Sequence, residues 1–171
     1  MTMKKTVLVY GLISGALASG MMLAATRYVK TMELRKADLI GYSSIVVVGL
    51  MIFFGVRSYR RNVGAGKLSF RRGFLVGLGI TLLSTTCYLA TFQLLYYVLE
   101  PGIGEKYAAC MVERARRSGA SSAELAERTE QARQIEKLYQ NPWTNIALAL
   151  IEPLPVGLVF VTLSAAILRK R

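Results

Sequence analysis

Long uncharged apolar runs alternate along the chain with shorter segments that carry nearly all of the charge. Residues 6–26 and 73–99 hold no ionisable charge, and 39–56 is equally clean between Asp38 and Arg57. A fourth run, 138–168, is broken only by Glu152, and its apolar span begins near Thr144. An α-helix rises about 1.5 Å per residue, so about 20 residues cross a hydrocarbon layer of about 30 Å. The pattern predicts an all-α protein with one membrane domain over residues 1–171. It is a four-helix transmembrane bundle with spans at about 6–26, 39–56, 73–99 and 144–168.

The segment 101–142 has a different rhythm. Pro101 and Gly102 end the third span, Ser118-Gly119-Ala120 divides the segment, and Pro142 closes it. Ile103, Tyr107, Met111 and Ala115 recur at a spacing of four; Leu125, Thr129, Ala132, Ile135 and Leu138 follow a three-to-four spacing. Each set makes a narrow apolar stripe on one helix face. Ser121 followed by Glu124 has capping-box spacing. An extramembrane helical hairpin between the third and fourth spans is expected, its two stripes facing each other. It is longer than a connection between neighbouring spans requires, which makes it the candidate surface for a protein partner.

Charge then orients the bundle. The net charge is +12, from 22 Lys and Arg against 10 Asp and Glu. Lys4, Lys5, Arg57, Arg60, Arg61, Lys67, Arg71, Arg72, Arg169, Lys170 and Arg171 would share one side of the bilayer, with no acidic residue among those short segments. The other side holds Glu33, Asp38 and every acid of the hairpin. The positive-inside rule therefore puts both termini in the cytoplasm, as in a multi-pass protein of a bacterial inner membrane. Tyr28, Tyr42, Tyr96, Tyr97 and Trp143 at one end, and Tyr59, Phe70 and Phe74 at the other, are the expected interfacial aromatics. The first span runs on past the length of a secretory signal core and reads as a retained helix. The basic residues adjoin apolar runs, which argues for membrane lipid and against nucleic acid. Arg57, Arg60, Arg61, Lys67, Arg71 and Arg72 are the expected contacts to anionic headgroups.

Candidate chemistry is sparse. The chain has no histidine, so imidazole dyads, triads and metal sites are excluded. Cys87 lies in an apolar run and Cys110 in a polar one, which argues against a disulfide between them. Gly64-Ala65-Gly66-Lys67 glances at a phosphate-binding loop, but Arg61 stands where that loop needs glycine, and Leu68 where it needs Ser or Thr. No catalytic residue, cofactor or metal is expected, and the chain does not read as an enzyme.

The candidate intramembrane polar site is Glu152 with Pro153, Pro155 and, on a neighbouring span, Gln93. A buried acid costs about 2.5–3.5 kcal/mol at a helix centre, and the surrounding Leu, Ile, Val and Phe return roughly 4–8 kcal/mol, so the span still inserts. The two prolines deprive the carbonyls of Ala149 and Ile151 of their usual donors, which predicts a kink. Gly11, Gly15 and Ser19, with Ala16 and Gly20 beside them, form a small-residue face for close packing in the bundle or for a homo-oligomer.

Several stretches resemble one family: residues 1–15 (MTMKKTVLVYGLISG), 51–60 (MIFFGVRSYR), 68–81 (LSFRRGFLVGLGIT), 105–109 (EKYAA), and 155–158 with the Arg-Lys-Arg tail. It is the bacterial membrane-protein family filed as domain of unknown function 4199. The resemblance runs in order along nearly the whole chain. Where that family tends to carry Asp after Ser-Tyr-Arg, this sequence has Arg61. The resemblance implies a multi-pass bacterial membrane protein and assigns no activity. The expectation is a non-enzymatic accessory or interaction module. The alternative is a small oligomeric transporter or channel that uses Glu152 in the Pro-kinked fourth span.

Overall fold

The computed structural model describes residues 2–31, 33–151 and 153–170. They form seven α-helices: α1 (Met3–Lys30), α2 (Leu34–Asn62), α3 (Phe70–Leu94), α4 (Ile103–Arg117), α5 (Ser122–Gln140), α6 (Pro142–Ile151) and α7 (Pro153–Ile167). A π-helical turn, Leu95–Leu99, prolongs α3, and the Glu100 amide donates to the Leu95 carbonyl at 2.8 Å. Pro101 has no amide to continue the ladder, and Gly102 at φ +90° turns the chain into α4.

Helix starts follow side-chain chemistry. The Thr2 and Ser69 hydroxyls accept from the amides of Lys5 and Arg72, satisfying donors that the first helical turn leaves free. The helices outrun the uncharged stretches. Arg57, Arg60 and Arg61 all belong to α2, with Arg60 and Arg61 in its last turn, where cations meet the negative end of the helix dipole.

Four apolar helical segments pack together: α1, α2, α3 with its π turn, and the α6–α7 pair. Each is long and apolar enough to cross a membrane. α2 and α3 touch across the middle, α1 leans on both, and α7 leans on both from the other side. Side-chain placement is inverted relative to a water-soluble fold. Large apolar residues cover the outside, with Leu39 and Ile167 each 68% exposed and Trp143 81% exposed. The buried set includes Thr6, Ser14, Thr26, Thr81, Ser84, Thr85, Asn145 and Ser164. In lipid the outside costs nothing, and helix association relies on close contact and local hydrogen bonds.

Glycines set the closest approaches. A Cβ on Gly15 would stand 2.7 Å from Cys87 Cβ, and one on Gly11 2.8 Å from Leu83 Cδ2. Ser19 completes the stripe: its hydroxyl receives a 3.0 Å bond from Thr91 Oγ1. The Gly11, Gly15 and Ser19 edge of the first span's small-residue face is thus occupied by α3 within the chain, while Ala16 and Gly20 beside it are exposed.

The apolar core fills the half of the bundle nearest the termini: Ile52, Val56 and Tyr59 from α2, Val76 and Ile80 from α3, and Val161 from α7. Tyr59, expected at the interface, is only 7% exposed and belongs to this core. Leu68 and Leu168 close the core from below. Backbone bonds of 2.8 and 3.0 Å pair Leu68 with Lys170, and Arg60 donates to the Leu168 carbonyl. The tail is therefore fastened to the α2–α3 turn.

The hairpin is formed by α4 against α5. Ser121 and Glu124 make the capping box: the Glu124 amide donates to Ser121 Oγ at 3.3 Å, and Glu124 Oε2 accepts from the Ser121 amide at 2.8 Å. The bonds that the Ser121 amide and the Ser121 hydroxyl donate to Glu124 Oε2 hold that carboxyl below its ordinary value of 4.5. A lowered folded-state pKa means that this stabilisation is complete above about pH 4.5 and is lost as pH falls through the lowered value. Amide protection factors in the first turn of α5, taken against the intrinsic exchange rate at each pH, should fall on acidification below that point, and Glu124→Gln should remove the dependence. Ser121→Ala should cost about 0.5–2 kcal/mol of local stability.

Candidate functional site

The hairpin sits on the bundle through three contacts. The buried Cys110 thiol donates to the Val29 carbonyl at 3.4 Å, fixing α4 over the end of α1. Burial also pushes that thiol upward from its usual pKa. Arg114 Nη1 meets Asp38 Oδ2 at 3.0 Å, tying α4 to the start of α2. Tyr139 near the end of α5 stacks on Tyr96 and lies against Phe92, with ring centroids 6.0 and 6.3 Å apart. Tyr88, Phe92 and Tyr96, four residues apart, make a continuous aromatic column along α3. Cys87 and Cys110 are both free thiols.

This docking changes which face of α4 is buried. Ala108 and Cys110 are buried, whereas Tyr107, from the expected inward stripe, is 41% exposed. α4 serves two neighbours, α5 and the bundle, so its apolar stripe alone does not fix its rotation. On α5, Ala132 is buried and Leu138 is exposed. Tyr107, Met111 and Ala115 line a groove of about 770 Å³. Asp38, Arg114, Glu124, Glu127 and Arg128 line its walls.

A second hollow, about 140 Å³, lies within the apolar bundle where α1, α2, α3 and α7 meet. Ser44, Thr81, Ser84, Thr85 and Tyr88 bring oxygen atoms to its lining, and Ile45, Val48, Val156 and Phe160 bring carbon. Of the expected intramembrane set, Pro153 lines this hollow. Pro155 is exposed on the outside of α7. Gln93 lies more than a turn beyond Tyr88, its Oε1 buried without a hydrogen-bond partner. Glu152 lies outside the described residues. α6 ends at Ile151 and α7 starts at Pro153, on either side of it. The oxygen-bearing face of α3 had a signature in the sequence, since residues 81, 84, 85 and 88 follow helical one-face spacing. Ser44, on another helix, had none.

The basic residues form the opposite end. Arg57, Arg61, Lys67, Arg71 and Arg72 are exposed and Arg60 is half-buried. No Asp or Glu occurs between residues 57 and 72.

Four apolar helical segments, an outside of large aliphatic side chains and, among the described residues, charge confined to the two ends define a polytopic helical membrane protein. The chain matches the model of a family described as Protein of unknown function (DUF4199) over residues 9–170, and it belongs to that family. No curated protein and no solved structure matches it.

Proposed function

We propose that this protein is a non-enzymatic accessory module of a bacterial inner membrane, with both termini cytoplasmic, that engages a partner protein through the groove on its hairpin. The observation that carries this reading is the groove, lined by the exposed Tyr107 and the half-buried Met111 together with charged residues of both signs. Such anchors dominate binding energy at interfaces. The docking of the hairpin on α1, α2 and α3 supports the same reading, because an ordered surface loses less entropy on binding. The acid-free basic end supports the cytoplasmic placement, where Arg57, Arg61, Lys67, Arg71 and Arg72 would rest on anionic lipid. The absence of histidine and the exposure of Glu124, Glu127 and Glu130 on the hairpin support a role other than catalysis.

A photo-crosslinking residue at Glu127 in native membranes should give one defined protein adduct. Tyr107→Ala should weaken that adduct about tenfold or more, a loss of at least ~1.4 kcal/mol. Only lipid adducts, or a protein adduct indifferent to Tyr107, would defeat the proposal.

A second reading is a small oligomeric transporter. It is favoured by one observation: Pro153, next to Glu152 in the sequence, lines the intramembrane hollow. The reading expects cation or proton flux in vesicles that falls severalfold with Glu152→Gln; flux unchanged by that substitution removes it.

A further inference from the structure

The oxygen atoms of the intramembrane hollow have a definite polarity. Ser44 Oγ donates its hydrogen to the Gly41 carbonyl at 2.6 Å, Thr81 Oγ1 to Gly77 at 3.0 Å, and Ser84 Oγ to Thr81 at 3.0 Å. A hydroxyl has one hydrogen and two lone pairs, so once its hydrogen is spent it can only accept. Three of the lining hydroxyls can therefore act toward a ligand only as acceptors. The rest of the lining is largely aliphatic and aromatic.

The hollow is half-open, and the opening has a direction. α7 packs on α2, but α6 packs mainly on α3 and α5, so the hairpin-side half of α2 parts from the fourth apolar segment. Gly41, on that half, lines the hollow and is itself exposed, as are Leu39, Tyr42 and Val46 nearby. What lies outside that gap is hydrocarbon. A ligand entering there should be long and apolar, with a single donor at its end. The volume matches a head of a few carbon atoms, since a cavity of about 150 Å³ accommodates benzene. The chain behind the head would run out between α2 and α6.

We propose that this hollow binds the hydroxyl end of a long-chain alcohol dissolved in the bilayer, the O–H donating to Ser44, Thr81 or Ser84. Gly49 and Gly157 shape the floor: a Cβ on Gly49 would overlap the Phe160 ring, and one on Gly157 would lie 2.6 Å from Thr81 Cγ2. The inference is independent of the hairpin groove and of Glu152.

The test uses the full chain in lipid nanodiscs and a long-chain alcohol bearing a diazirine near its hydroxyl, with adducts mapped by mass spectrometry. Adducts should concentrate on residues 81–88 and 153–160, and unlabelled alcohol should compete. The methyl ether of the same probe, which accepts but cannot donate, should label at least tenfold less. Ser44→Ala, at a half-buried position, should reduce labelling severalfold without unfolding the bundle. Ala18→Phe, which fills the hollow, should abolish labelling if it retains the wild-type melting profile; if it does not, Ser44→Ala carries the test alone. Equal labelling by alcohol and ether overturns the proposal. So does competition by sodium ion in place of alcohol, or the absence of adducts at these two segments, which would leave water as the occupant.

Discussion

Replacing Gly15 with leucine should pry the first and third spans apart, while the same replacement at Gly20 should leave the protein unchanged. A Cβ at Gly15 meets Cys87 Cβ at 2.7 Å and Ser84 Cα, a backbone atom, at 3.3 Å. Neither neighbour can rotate away, so the two helices must separate along their length. That would also strain the Ser19–Thr91 bond one turn further on. Overpacking costs about 1–3 kcal/mol at ordinary core sites, and a clash that reaches a neighbouring backbone belongs at or above the top of that range. Gly20 sits five residues away on the same helix, and a Cβ there meets nothing within 4 Å. Leucine at Gly20 would face lipid and improve helix propensity by nearly ~1 kcal/mol. Unfolding in mixed detergent micelles should show a large drop in midpoint for Gly15→Leu and no drop for Gly20→Leu. Equal effects at the two sites would mean that the stripe packs elsewhere, for example on a second copy.

These two glycines also mark what the sequence could and could not say. The four apolar segments were legible because an ionised side chain in hydrocarbon is costly, so a stretch of about twenty apolar residues without one marks a span. The hairpin was legible from its breakers and capping box. Helix rotation was not. In water, buried and exposed faces differ in polarity, and the pattern reveals the core; in lipid, both faces are apolar, and Leu8 and Ile52 look alike although one is exposed and the other buried. The same ambiguity hid the interior place of Tyr59. Long-range pairings were equally silent. Nothing local links Asp38 to Arg114 or Leu68 to Lys170, and the acceptor-lined hollow needed Ser44 and Thr81 to be brought together from different helices. Pro153 could be singled out from its neighbours in sequence, but Pro155, beside it, points away from the hollow's lining.

The Gly-Ala-Gly-Lys string in the α2–α3 connection shows how a motif that fails chemically can succeed structurally. Its residues form the turn that fastens the tail. Gly66 donates to the Arg60 carbonyl at 3.0 Å and Lys67 to Gly64 at 2.8 Å. Leu68 then pairs with Lys170 and seals the core together with Leu168. A Cβ at Gly64 would fall 2.1 Å from the Lys67 carbonyl oxygen and 3.1 Å from that of Arg60, both backbone atoms. Gly64→Ala therefore cannot be absorbed by a side-chain movement; the turn itself has to open, and with it the Leu68–Lys170 pair. A loss of about 2–3 kcal/mol is expected, the range for substitutions that break a constrained backbone feature. Amide exchange at Leu68 and Lys170 should quicken more than tenfold, while amides in the centre of α3 change little. The adjacent Ala65→Gly is the control. Ala65 has φ +47°, a left-handed conformation that disfavours any side chain, so glycine there relieves strain and should be neutral to stabilising. If Gly64→Ala left the Leu68 and Lys170 amides as protected as before, the turn and the tail would be separate elements, and the closure of the core would have to depend on Leu168 alone.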